Sequence, residues 1–268
     1  MENSTTIESA VQGAALKPDM DQAKRYLAAL DPDPNAIFAF QTFDDSKTKD
    51  RKLAVTRSGK FLELAALLVQ FNRRRIGVFV TVNKTDGGGR EASNVTGLRA
   101  LFIDHDYKDG PLKKPIALDP SIVVGSGGGD HYYWLLKPGE DIHRFKQAQQ
   151  HLANYYGTDT AVSDLPRVMR LPGFVHHKRE PFQVRIKELH PERRYTIDDV
   201  LKAHAAPTIQ TVLAPDNYKF PELNGSHVEF APADCDKIKA GCGYIANCFS
   251  NAEGLLESHW FVALGIVG

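Results

Sequence analysis

The chain has 268 residues, 42% of them hydrophobic, enough to build one large domain or two modest ones around an apolar core. Lysine plus arginine and aspartate plus glutamate number 33 each, so no global positive field draws the protein onto nucleic acid and any such binding must come from local clusters. No run approaches the ~18 apolar residues of a membrane span, and the stretch from Met1 to Leu16 lacks the basic start and apolar middle of a secretory signal.

Residues 1–18 read as a disordered leader. Asp19 to Leu30 is expected to form a short helix, with Asp19 or Asp21 near its start, Ala23, Tyr26, Leu27 and Leu30 at helical spacing, and Pro32 and Pro34 ending it. Ile37 to Phe43 has the look of an aromatic-rich strand. Phe61 to Arg74 carries Leu64, Leu67, Leu68 and Phe71 on one helical stripe, and Ile76 to Val82 is a second strand. The polar stretch Asn83 to Gly97 spans about fifteen residues, long enough to be functional or disordered. Within it, Gly87 to Gly89 with Arg90 could approach a phosphate, although a flexible hairpin loop fits equally well.

Leu101 to Ile103 is an apolar strand that runs into Asp104 and Asp106. Ile122 to Val124, a tight turn at Ser126 to Gly129 and a return strand from His131 to Leu136 make a hairpin. Arg144 to Tyr156 reads as a helix ending near Gly157. Val168 to Leu171 and Phe182 to Ile186 are further strands, and His190 to Ala203 gives a last turn and helix. The order of these elements predicts an α+β fold with a mixed, mostly antiparallel sheet over residues 19–204.

Residues 205–230, rich in Pro, Thr, Asn and Gly, read as a linker. Residues 231–268 look like the start of a helical subdomain, and their apolar end, HWFVALGIVG, leads us to expect that the natural polypeptide continues. Cys235, Cys242 and Cys248 fall there; an odd number without a signal peptide argues for a reducing compartment, with cytosol the default. Zinc bound by these three with His259 is not expected, because the spacing lacks a C-x-x-C pair, and buried thiols are the better reading.

Three segments carry chemistry. In LRALFIDHDYKDG, Asp104 and Asp106 point to the same face of a strand, about 6 to 7 Å apart at Cβ, close enough to share hard divalent cations through oxygen. A plain strand exit into a turn at Lys108, Asp109 and Gly110 would look much the same. In GSGGGDHYYWLL, backbone amides around Gly127, Gly128 and Gly129 precede His131, so the turn could hold phosphate oxygens, or His131 could be a satisfied structural residue. In YGTDTAVSDLPRVMRLPGFVHHK, Asp159 or Asp164 precedes Arg167, Arg170, His176 and Lys178. Strand alternation sets Arg170 opposite Met169 and Leu171, free to meet an anion, unless the arginines simply pair with the two aspartates. Further basic runs at Arg73 to Arg75, His176 to Arg179 and Arg193 to Arg194 are solvated faces or local nucleic-acid contacts.

In order and in kind these segments resemble the signature of the archaeo-eukaryotic primase superfamily, in particular primase-polymerase domains of plasmid and phage replication proteins. FIDHD matches the family's D-x-D strand, SGGGDH its small-residue turn and histidine, and DTAVSDLPRVMRLPGFVHHK its third acid, arginine strand and basic tail. The resemblance covers Asp21 to about Ala203. It implies a recognition-motif-like sheet with an α/β lobe, and two Mg²⁺ or Mn²⁺ ions held by Asp104, Asp106 and Asp159, with Asp164 as the alternate third acid. It also implies phosphate binding by His131 with Ser126, Gly127 and Gly128, and by Arg167, Arg170, His176 and Lys178. Asn83, Arg90 and Arg99 are candidates for template or phosphate contacts.

The implied activity is templated nucleotidyl transfer on single-stranded DNA from NTP or dNTP, with a helicase domain or subunit as a further partner. A D-x-D glycosyltransferase, which predicts neither the histidine hairpin nor the third acid, and a non-catalytic DNA-binding initiator module are the competing readings.

Overall fold

A computed structural model of the chain describes residues 16–205. The expected leader up to residue 15, the linker beyond 205, and the segment 231–268 with Cys235, Cys242, Cys248 and His259 lie outside the described residues.

Helix α1 (Met20–Leu30) begins where the Asp19 carboxylate accepts the amides of Asp21 and Gln22 at 3.0 and 3.3 Å, and it buries Ala23, Tyr26, Leu27 and Leu30. Strand β1 (Phe38–Asp44) is followed by β2 (Thr56–Gly59), then by helix α2 (Phe61–Arg73) and strand β3 (Ile76–Thr81). Two short strands, β4 (Lys84–Thr85) and β5 (Val95–Gly97), lead into β6 (Ala100–Asp106), after which β7 (Ile122–Gly125) and β8 (Gly129–Leu136) form the expected hairpin. Helix α3 (Phe145–Tyr156) stops at Gly157, in the left-handed conformation at φ 73°. The chain ends its described part with β9 (Val168–Arg170), β10 (Val175–His176), β11 (Phe182–Gln183), β12 (Arg185–Leu189), β13 (Arg194–Tyr195) and helix α4 (Ile197–Ala203).

Two larger sheets result. The first runs β2-β1-β3-β9 and is antiparallel throughout. In the second, β8 is the hub: it pairs antiparallel with β7 and β6, β12 extends β7, and β13 adds a short parallel pairing at Leu135 and Leu136. The fold is α+β and mostly antiparallel. Helix α2 packs on β3, α3 on β6 and α1 on β12. A shared core of fully buried side chains includes Tyr26, Phe40, Phe102, Tyr133, Trp134, Phe145 and Tyr156. No helix among the described residues is long and apolar enough to cross a membrane.

Three differences from the sequence expectation have local causes. The stretch Asn83 to Gly97 is a stapled hairpin: the Asp86 carboxylate accepts the Gly88 amide at 2.7 Å and the Asn94 side chain at 3.2 Å. The run Phe182 to Ile186 is split into β11 and β12, because buried Val184 exchanges backbone hydrogen bonds with Gly173 and Phe174 instead. Strands β2, β10 and β13 carry too short or too polar a pattern to stand out.

Candidate active site

Asp104 and Asp106 stand at the end of β6, with side chains about equally exposed at 42%. The antiparallel register sets Asp104 directly opposite His131 and Asp106 opposite Gly129. Gly129 has to be glycine, because a Cβ there would overlap the carbonyl oxygen of His105 on the neighbouring strand. On its other side β6 has no strand partner among the described residues, and the amide and carbonyl of Phe102 are met instead by the side chain of Gln149 from α3, itself buried. This clamp sits two residues before Asp104 and fixes the strand that presents both acids.

His131 Nε2 lies 3.5 Å from Asp104 Oδ1, and Tyr133 Oη is 3.3 Å from His131 Nδ1. Burial pushes the His131 imidazole below its ordinary pKa, with the charge of Arg170 acting in the same direction and Asp104 only partly opposing it. The shift favours the neutral imidazole beside Asp104. Lys108 reaches back to Asp106 at 2.5 Å, and this hydrogen bond raises the lysine's pKa.

The opposite wall comes from β9 and β10. Arg170 lines the cavity, but its guanidinium is held in a two-pronged pair by Asp45, at 2.9 and 3.1 Å, and lies over the ring of Phe79 at 4.5 Å. Asp45 is 4% exposed. Burial alone would raise its carboxyl, and the hydrogen bonds and charge of Arg170 outweigh that and hold it below the ordinary carboxylate value. Gly77 leaves room for the pair, since a Cβ would stand 2.9 Å from both Asp45 oxygens. The expectation of an arginine free to meet an anion is thus corrected: Arg170 arrives already paired.

His176 on β10 donates Nδ1–H to the Ser126 carbonyl at 2.8 Å, tying the strand to the small-residue turn. Its Nε2 is buried with no partner among the described residues, and burial, reinforced by Arg170, lowers its pKa. Strand β10 is anchored by Asn72 of α2, whose side chain accepts the Val175 amide at 2.9 Å and donates to the Val175 carbonyl at 2.8 Å.

These residues enclose one cavity of about 210 Å³. Of the residues expected at the site, Asp104, Asp106, Ser126, Gly128, His131, Arg170, His176 and Lys178 line it, joined by Lys108 and Arg179. Gly127 does not; it packs against Phe182 at the turn. Neither candidate for the third acid lines the cavity. Asp159 is exposed and caps the amide of Ala161 at 2.8 Å, and Asp164 is spent on Arg167, whose guanidinium also bonds the Ala161 carbonyl.

The three residues expected to contact template or phosphate lie outside this cavity. Arg99 is 5% exposed, salt-bridged to Asp31 at 2.7 Å and packed over Phe38. Asn83 is buried and bonds the Leu165 carbonyl and the Arg99 amide. Arg90 bonds Gln41 and the Pro166 carbonyl beside a separate cleft. Asp45 carries no local signal in the sequence, because its partner lies 125 residues away.

Residues 96–207, which hold all three motifs, match the family described as the RepB DNA-primase N-terminal domain. A replication protein of Clostridium perfringens is 29% identical over 119 residues, an alignment that covers 38% of this chain and only 29% of that protein. Among solved structures, the archaeo-eukaryotic primase domain of the cyanophage S-2L primase-polymerase superposes with a TM-score of 0.56 at 20% identity, covering 70% of this chain and 99% of the other. The primase RepB′ gives 0.53 at 17% identity over 69% of this chain and 61% of its own. The catalytic domain of primase RepB′ in complex with initiator DNA gives 0.51 at 18% over 69% and 92%. The fold is that of these primase domains, and the resemblance read from the three motifs stands.

Proposed function

We propose that this chain carries a primase-type nucleotidyl transfer site and uses it to make and extend primers on single-stranded DNA during replication of a plasmid or phage. The observation that carries this reading is one cavity with two same-facing carboxylates on one wall and Arg170, His176, Lys178 and Arg179 on the other. That division of charge suits a nucleoside triphosphate bridged to a divalent cation. The similar proteins, named as primases and a replication protein, support the same class of reaction.

The residues present fit one hard divalent ion better than two. Magnesium is commonly held by one or two carboxylates plus substrate phosphates, and Asp104 and Asp106 are such a pair. Among the described residues no group of three His, Cys, Asp or Glu is arranged to hold a metal. When bound, Mg²⁺ or Mn²⁺ would neutralise charge on the transferring phosphate and lower the pKa of the attacking hydroxyl.

The chain's own groups do the rest. Lys178 and Arg179 bind phosphate oxygens, the amide of Gly128 caps the turn side, the Ser126 hydroxyl braces that turn by donating to the Gly129 carbonyl at 3.0 Å, and Arg170 adds positive potential from a fixed position. His131 stands beside Asp104, its Nε2 3.5 Å from the carboxylate. Lys108 pairs with Asp106 and would have to move aside for a cation held there. The bond formed joins a primer 3′ oxygen to the α-phosphorus, and pyrophosphate leaves.

The test is templated incorporation of labelled nucleotides with Mg²⁺ or Mn²⁺. Asp104→Asn and Asp106→Asn should each lower it by about 100-fold or more while thermal melting stays close to wild type. Wild-type-like synthesis by either variant refutes the assignment. Sugar-nucleotide hydrolysis without nucleotide incorporation would favour the glycosyltransferase reading instead.

A further inference from the structure

A second cleft, of about 460 Å³, lies on the other side of β10 from the catalytic cavity. Strand alternation makes the wall common to both: Val175 and His177 face this cleft while His176 faces the cavity. Its floor is apolar, with Val175 and Pro181, and its charged lining is Lys17, Arg73 and Arg75 beside His177, with no carboxylate. Among the described residues, none of Lys17, Arg73 and Arg75 has an acid within salt-bridge distance, so the charge they bring to the cleft is not neutralised there.

Arg75 adds an independent observation. It follows the end of α2 with φ at 63°, the left-handed conformation in which glycine is the ordinary occupant, and its amide closes the helix on the Asn72 carbonyl at 2.9 Å. A long cationic side chain thus stands at a position that glycine ordinarily fills. Such an outlier points from strain to function.

We infer that this cleft grips the sugar-phosphate backbone of single-stranded DNA, the template strand of the primase reaction proposed for the catalytic cavity, on which this inference rests. Unpaired cations over an apolar floor bind phosphates without reading base edges, as a template track requires. No Phe, Tyr or Trp lines the cleft, so charge supplies the affinity and salt should weaken it. The tip of the β10–β11 hairpin carries Lys178 and Arg179 into the catalytic cavity, so a strand held in the cleft is delivered to the bound nucleotide across a single wall.

The experiment measures anisotropy of a labelled oligothymidylate with the full chain across a salt series, for wild type, Arg75→Gly and Arg73→Gln/Arg75→Gly. Arg75→Gly relieves the left-handed strain, so its melting temperature should equal or exceed wild type while DNA affinity falls several-fold. The double variant should fall further, and the slope of log affinity against log salt should drop by about 0.7 for each phosphate no longer neutralised. Binding of Mn²⁺-dNTP should be unchanged in both. Wild-type affinity and slope in the double variant, absence of oligonucleotide binding by wild type, or a parallel loss of dNTP binding would each overturn the inference. Templated incorporation by wild type separates the outcomes: if it is present while the double variant binds DNA normally, only the cleft assignment fails. If incorporation is absent but both variants bind DNA more weakly than wild type, the catalytic reading fails and the cleft stands as a DNA-binding surface.

Discussion

The two walls of the candidate catalytic cavity are held by different means. The acid wall is chiefly a backbone construction: β6 and β8 pair over seven residues, and that ladder sets Asp104 opposite His131, with the Gln149 clamp on its outer side. The basic wall hangs on side chains, since β9 has three residues and β10 two, and their positions depend on Arg170 with Asp45, Asn72 with Val175, and His176 with Ser126. A ladder shares its load among many hydrogen bonds, so single side-chain changes should leave the acids in place. A wall held by a few buried polar pairs should shift when one is removed.

The sharpest way to break this contrast is Asp45→Asn. It leaves a largely buried guanidinium without its counter-charge, which typically costs about 3 to 5 kcal/mol, and nucleotide affinity should fall with it. Chemical denaturation reads the first effect and calorimetry the second; a cost no larger than that of a surface substitution would mean the basic wall does not depend on this pair. Paired substitutions of the two anchoring amides sharpen the comparison. Asn72→Leu and Gln149→Leu each strand buried backbone groups, at about 1 to 3 kcal/mol per group, but only Asn72→Leu should weaken nucleotide binding, while Mn²⁺ binding survives both.

Acidity should act on the partly or fully buried histidines, His176 on this wall and His204 at the C-terminal end of α4 among them. Burial is the largest influence on His176, His177 and His204 and lowers the pKa of all three. The unfolded chain therefore takes up protons near pH 6.5 that the folded chain resists. Stability should fall as pH drops through that range and hold steady above it. Asp45 acts in the same sense over a lower range: its depressed carboxyl contributes stability above the ordinary carboxylate pKa of about 3.9 and loses it only at lower pH. Denaturation midpoints at pH 7.5, 6.5 and 5.5 that do not decline would contradict the histidine assignment. The smallest effect belongs to Lys108→Met, which frees Asp106 from an exposed partner and should tighten Mn²⁺ by no more than about five-fold, read by paramagnetic titration.

The same contrast governs what can be read from residues alone. Asp104, Asp106 and His131 are legible because strand alternation and a tight turn are local patterns, and Arg170, His176 and Lys178 because they share one short segment. Asp45 is not, because FDDSK reads as a turn. Asp44 does make the local turn bonds, to Ser46, Thr48 and Asp50, while its neighbour turns inward to a partner far along the chain. Arg99 and Asn83 mislead for the reverse reason: polar residues beside a polar loop read as exposed, yet both are buried and satisfied by distant groups. Asp159 keeps the family spacing but turns its carboxylate onto the amide two residues ahead.

Calorimetric titration of Mn²⁺-dNTP into wild type, Asp104→Asn/Asp106→Asn and Lys178→Ala/Arg179→Ala tests most directly whether the two walls act as one site. Each double variant should lose at least about ten-fold in affinity for the metal-nucleotide complex, since charge-assisted hydrogen bonds are worth roughly 1.5 to 3 kcal/mol apiece. Full wild-type affinity in either variant would mean that acids and cations lie side by side without sharing a ligand.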